Sequence, residues 1–99
     1  MAFLEEFAYI VVVQEDRDGV QETCLYECDP GESHRRRLDS LPFNILRCLG
    51  GGRFAVDDDE KLIELFGSSD TYGPEPDRKL SVRLMEERNK GYRVRIRQA

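Results

Sequence analysis

Cys48-Leu49-Gly50-Gly51-Gly52-Arg53-Phe54-Ala55-Val56 is the stretch on which the count of elements turns. Residues 43–49 before the glycines, beginning at Phe43, are apolar enough for a strand, and residues 53–56 after them form a second short apolar run. Three consecutive glycines interrupt such a pattern, and interior glycine in a strand marks a bulge or a place where another backbone comes close. Asp57-Asp58-Asp59 then reads as a turn, and residues 61–66 return with apolar side chains at nearly every position, the pattern of a strand covered on both faces.

Upstream, residues 8–13 (Ala-Tyr-Ile-Val-Val-Val) are short, apolar and β-branched, which predicts a buried strand. Asp16-Arg17-Asp18-Gly19 follows as a hairpin turn, and residues 20–28 form its second arm, stopped by Asp29-Pro30-Gly31. Between Ser33, a candidate N-cap, and Leu41 there is a brief helical signal that Pro42 ends. Downstream, residues 67–76 are a polar loop, Asp77 is placed to cap a helix over 78–90, and Gly91 follows as a C′ residue. Tyr92-Arg93-Val94-Arg95-Ile96-Arg97 alternates strictly, a strand with three arginines turned outward. The order β-β-α-β-β-β-α-β over 1–99 predicts one α+β domain, a mixed sheet of about six strands with two helices packed on it.

A chain of 99 residues has room for one core, and 39% hydrophobic with 35% charged residues is a globular composition. Three cysteines, an odd number, and no basic or apolar leader at the start point to a reducing, cytoplasmic setting. The net charge of −5 argues against general nucleic-acid or membrane binding, so neither is expected as a partner.

The pair Cys48-Leu49-Gly50-Gly51-Gly52-Arg53 and Gly67-Ser68-Ser69-Asp70-Thr71-Tyr72-Gly73-Pro74 resembles the two signatures of the protein phosphohistidine phosphatase (Janus/Ocnus) family, the second being similar to G-x-S-x-x-Y-G-P-A with Glu75 in the last place. The hairpin around Asp18-Gly19-Val20 and Gly91-Tyr92-Arg93-Val94 extend the resemblance to nearly the whole chain. It implies metal-independent hydrolysis of phosphohistidine in proteins by a monomer without cofactor. His34, the sole histidine, stands before a short helical signal as the family's catalytic histidine does, and the resemblance implies that it is the general base.

Breaking a P–N bond needs an activated nucleophile, donors for the phosphoryl oxygens and stabilisation of developing charge. An imidazole with an ordinary pKa near 6.5 keeps a neutral fraction at pH 7, so His34 suits a base; a transient phosphohistidine on it is the chemical alternative. Arg53 offers a bidentate fork, and Ser68, Ser69, Asp70 and Thr71 offer successive backbone N–H groups, with the Ser69 hydroxyl besides. Two departures from the family add negative charge: Glu22 stands where the family has lysine, and Asp70 where it often has methionine. Arg35, Arg36 and Arg37 are the nearest offset.

Two rival readings stand beside the enzyme. A non-catalytic phosphate- or phosphoprotein-binding module would keep the cradle without turnover, and an RNA binder would use Arg93, Arg95 and Arg97, although the aromatic pair for base stacking is missing. Cys24, Cys28, His34 and Cys48 make a nominal zinc set, but residues 24 and 28 of one strand lie roughly 13 Å apart, too far to share an ion. The glycine run lacks the G-K-[ST] of a nucleotide-binding loop, and residues 57–60 lack the spacing of a calcium loop.

Overall fold

The computed structural model describes residues 5–42 and 44–97, in the order β1 (Glu5–Glu15), β2 (Gln21–Glu27), α1 (His34–Ser40), β3 (Asn44–Asp57), β4 (Leu62–Phe66), α2 (Arg78–Arg88) and β5 (Arg93–Ile96). The five strands form one mixed sheet in the order β2-β1-β3-β4-β5, antiparallel except for the parallel β4–β5 pair, which α2 connects. It is the α+β domain expected, with one fewer strand.

The missing strand is a fusion. β3 runs unbroken for 14 residues through the three glycines, because β1 pairs with it all along: Tyr9, Ile10 and Val11 face Gly52, Gly51 and Gly50. The pairing then steps from Val11–Gly50 to Val12–Cys48, leaving Leu49 as the extra residue of a bulge. Apolar periodicity breaks at glycine, but a backbone ladder does not. Phe43, expected to start this strand, lies outside the described residues.

β1 is an interior strand, between β2 and β3, and residues 8–14 are buried throughout. One face of the sheet carries Tyr9, Val11, Leu25, Phe54, Ile63 and Leu65, packed against Met85 of α2. Those positions alternate along each strand, as a period of two requires. The opposite face of β1 receives α1.

Both helices start where the caps predict. The Ser33 side chain accepts from the Arg36 N–H at 3.1 Å, and Asp77 Oδ1 accepts from the Leu80 N–H at 3.3 Å. α2 closes earlier than the expected Lys90, because Asn89 caps it with its backbone N–H on Met85 O at 3.0 Å and sends its side-chain amide to Glu27 Oε2 at 3.0 Å. The turn at Asp57 holds as expected, its carboxylate accepting from the Asp59 and Glu60 N–H groups at 3.1 Å. No helix among the described residues is long and apolar enough to cross a membrane.

Candidate functional site

His34 is the first residue of α1, and its Nε2 lies 2.9 Å from the carbonyl oxygen of Gly52. A carbonyl only accepts, so Nε2 carries the proton and Nδ1 of the neutral ring keeps the lone pair. The ring rests on Gly51: a Cβ added there would come within 3.0 Å of His34 Cδ2, and within 2.3 Å of the Tyr9 carbonyl oxygen. Any side chain at position 51 would therefore displace the histidine.

The neighbouring glycines serve other close approaches. A Cβ at Gly50, whose φ is +133°, would strike the backbone of Gly73, Pro74 and Glu75 at 2.7–2.8 Å. One at Gly52 would meet Phe66 O and Tyr9 Oη at 2.8 Å and Arg78 Nη2 at 2.9 Å. β4 ends at Phe66, and beyond it the loop 67–75 takes over as neighbour of β3: Ser69 N–H donates to Gly51 O, and Gly51 N–H to Gly73 O, both at 3.0 Å. The loop closes on itself through Gly73 N–H to Ser69 O at 2.9 Å and Tyr72 N–H to Ser69 Oγ at 3.1 Å. The two motifs of the sequence are thus two halves of one construction.

This geometry divides the expected cradle. Ser69 is buried and its backbone N–H is spent on Gly51, while Ser68, Asp70 and Thr71 are exposed. Among the described residues no hydrogen bond takes up the N–H of Ser68, Asp70 or Thr71. Those donors stand beside the glycine on which His34 rests. Arg53 follows Gly52 directly and shares the Gly51 face of the strand by alternation. Gly67 packs on its stem, with Arg53 Cγ 3.6 Å from where a Cβ of Gly67 would lie. The exposed Arg53 side chain lines a depression of about 200 Å³ together with Ser33, Gly31 and three carboxylates, Glu6, Asp29 and Glu32.

Beneath the loop lies a polar cluster that sequence reasoning passed over. Glu75, 6% exposed, accepts from Tyr9 Oη and Ser81 Oγ at 2.6 Å and from Arg78 Nη2 at 2.7 Å. Arg78 Nη2 also donates to Gly67 O at 2.7 Å, so the cluster ties both ends of the loop to β1 and α2. Burial alone would raise the Glu75 pKa, but the Arg78, Ser81 and Tyr9 hydrogen bonds outweigh it and hold the carboxyl below its ordinary value. Burial and the Glu75 carboxylate push the Tyr9 phenol well above its ordinary range. Glu75 in the place of the motif alanine was the available signal.

The remaining charges lie apart. Glu22 is registered opposite Gln14, four residues beyond Ile10, or about 13 Å along β1 from the part of the sheet under His34. It accepts from Gln14 Nε2 and Cys24 Sγ, each at 3.3 Å. Arg37 sends its Nε to the Glu27 carbonyl at 2.9 Å and lies over the Tyr26 ring, whereas Arg35 and Arg36 are exposed. Arg95 and Arg97 clamp the Glu64 carboxylate at 2.6 and 2.9 Å, and Arg97 covers the Phe66 ring at 3.9 Å. Burial raises the Cys24 and Cys28 thiols to about 11. Among the described residues no group of three or more His, Cys, Asp or Glu is placed to hold a metal ion.

The family model of the Janus/Ocnus family matches residues 7–93, a span that takes in both motifs, His34 and the Glu75 cluster. No curated protein matches the chain.

Proposed function

The chain belongs to the Janus/Ocnus family, and from that membership we propose that it hydrolyses the P–N bond of phosphohistidine in proteins, without a metal and with His34 as general base. One observation carries the reading: the Gly52 carbonyl accepts a hydrogen bond from Nε2–H of His34, which favours the tautomer whose Nδ1 can accept a proton from water. The activated water attacks phosphorus opposite the substrate imidazole. The P–O bond forms as the P–N bond breaks, and the proton taken by His34 returns to the departing nitrogen through solvent. Arg53 and the unspent N–H groups of Ser68, Asp70 and Thr71 are the donors for the phosphoryl oxygens, while the buried Ser69 braces the turn through its hydroxyl and backbone. The partners are then phosphohistidine-bearing proteins.

A second reading, a non-catalytic phosphate-binding module, keeps Arg53 and the unspent N–H groups of Ser68, Asp70 and Thr71 as an anion cradle without turnover. Phosphate release separates the two. Chelator-treated protein should liberate phosphate from a phosphohistidine peptide, and His34→Ala should abolish most of that release. Binding without release would establish the module instead.

A further inference from the structure

We infer that a second cavity receives a lysine or arginine side chain flanking the phosphohistidine of the partner, so that the preferred substrates are basic segments. This inference rests on the hydrolase reading for the word substrate, but the cavity stands on its own geometry. It has a volume of about 340 Å³ and lies on the α2 face of the sheet, beyond the point where Asn89 ends the helix. Its floor is apolar, formed by Phe54 and Ile63, and its walls include Phe7 and Tyr92. Phe7 is stacked on Phe54 with ring centroids 5.3 Å apart.

Three features select a cation with an apolar stem. Glu27, Asp29 and Asp58 stand on the lining, and no lysine or arginine does. The C-terminal end of α2, the negative end of the helix dipole, opens onto the same space through Asn89. The aromatic walls suit a cation over a ring face, and Lys61 already sits over Tyr92 at 5.2 Å. Arg88 lies 3.8 Å from Glu27 outside the lining, which leaves Asp29 and Asp58 as the carboxylates with no ion-pair partner among the described residues. A lysine or arginine would lay its methylenes on Phe54 and Ile63 and hold its head against a carboxylate.

Continuity with the Arg53 depression supplies the connection to substrate. Phe7 and Asp29 line this cavity and also the Arg53 depression. β2 stops at Glu27, opposite Tyr9, so residues 5–7 of β1 form an edge around which an extended chain can pass from one cavity to the other.

The test compares short phosphohistidine peptides carrying Lys, Ala or Glu at one flanking position in turn. At low salt the Lys peptide should exceed the Ala peptide by about tenfold in kcat/KM at the best position, through KM, and the Glu peptide should fall below both. Asp58→Asn, outside the Arg53 depression and able to keep the Tyr92 hydrogen bond, should bring the Lys preference down to about threefold while leaving the Ala peptide unchanged. Equal kcat/KM for Lys, Ala and Glu peptides would overturn the inference and leave the hydrolase reading intact. Should no peptide be hydrolysed, the hydrolase reading fails by itself, and anisotropy titration of the unphosphorylated peptides still decides this one. Preference for Lys over Glu that weakens in Asp58→Asn supports the cavity, and equal affinities refute it.

Discussion

At the scale of single residues, the proposed chemistry rests on one imidazole whose Nε2 is held to the Gly52 carbonyl. His34→Ala should lower turnover at least about a hundredfold, the usual worth of general acid–base help, with the circular dichroism spectrum and melting temperature little changed, because the ring is only half-buried. Retained activity would remove His34 from the chemistry. Arg53→Ala should weaken phosphate binding by about 1.5 to 3 kcal/mol in a calorimetric titration, and Arg53→Lys should recover only part, since lysine lacks the planar fork. Equal affinity in all three proteins would place Arg53 outside the cradle. Glu22 has a different standing. Its charge lies about 13 Å from the sheet under His34, more than a Debye length at 0.15 M salt, so Glu22→Lys should leave kcat/KM at physiological salt nearly unchanged. A large gain there would mean that substrate extends along β1 toward the hairpin.

Among the elements, β3 and the loop 67–75 behave as a unit, because each supplies the hydrogen bonds that the other lacks. Gly51→Ala tests this most directly. Its new methyl would collide with the Tyr9 carbonyl and press on the His34 ring, so both the melting temperature and kcat should fall, in contrast to His34→Ala, where only kcat does. Normal stability and activity in the Gly51→Ala protein would show that β3 can shift away from β1. Glu75→Gln addresses the other side of the loop. Removing the charge leaves Arg78 without its buried partner at an expected cost of about 3 kcal/mol in urea unfolding. The loop should also loosen, seen as faster amide exchange at Ser69 and Gly73.

For the whole molecule, the same carboxylates set the response to acid. Glu75 and Glu64 are both held below their ordinary pKa: burial opposes this, but Arg78, Ser81 and Tyr9 outweigh it for Glu75, and Arg97 and Arg95 for Glu64. A carboxyl depressed in the folded state contributes stability above its unfolded pKa, near 4.3, and loses that contribution as pH falls through the folded value. Unfolding free energy should therefore be level from pH 7 to about pH 5 and decline below about pH 4.5. Glu75→Gln should begin lower and decline less steeply. A wild type whose stability is flat down to pH 3 would mean that these carboxylates are equally favoured in the unfolded chain.

The sequence by itself determined the local structure: the buried β1, the hairpin turn, the Ser33 and Asp77 caps, the turn at Asp57 and the outward arginines of β5, each encoded within a few residues by periodicity or by one capping side chain. The resemblance singled out the glycine and tyrosine motifs, and the structure joins them through the backbones of Gly51, Ser69 and Gly73. What only the tertiary structure decided is how distant segments use each other's backbones. Three glycines read as a break in apolar pattern, yet β1 carries β3 straight through them, since a ladder needs N–H and C=O groups and no side chain. Ser69 read as a phosphate donor, yet its N–H belongs to Gly51, eighteen residues back in the chain. Glu75 read as a departure from a motif, yet it joins Tyr9, Arg78 and Ser81 into one buried cluster. Sequence spacing carries information about neighbours along the chain, and a hydrogen bond between residues 9 and 75 exists only once the sheet has brought them together.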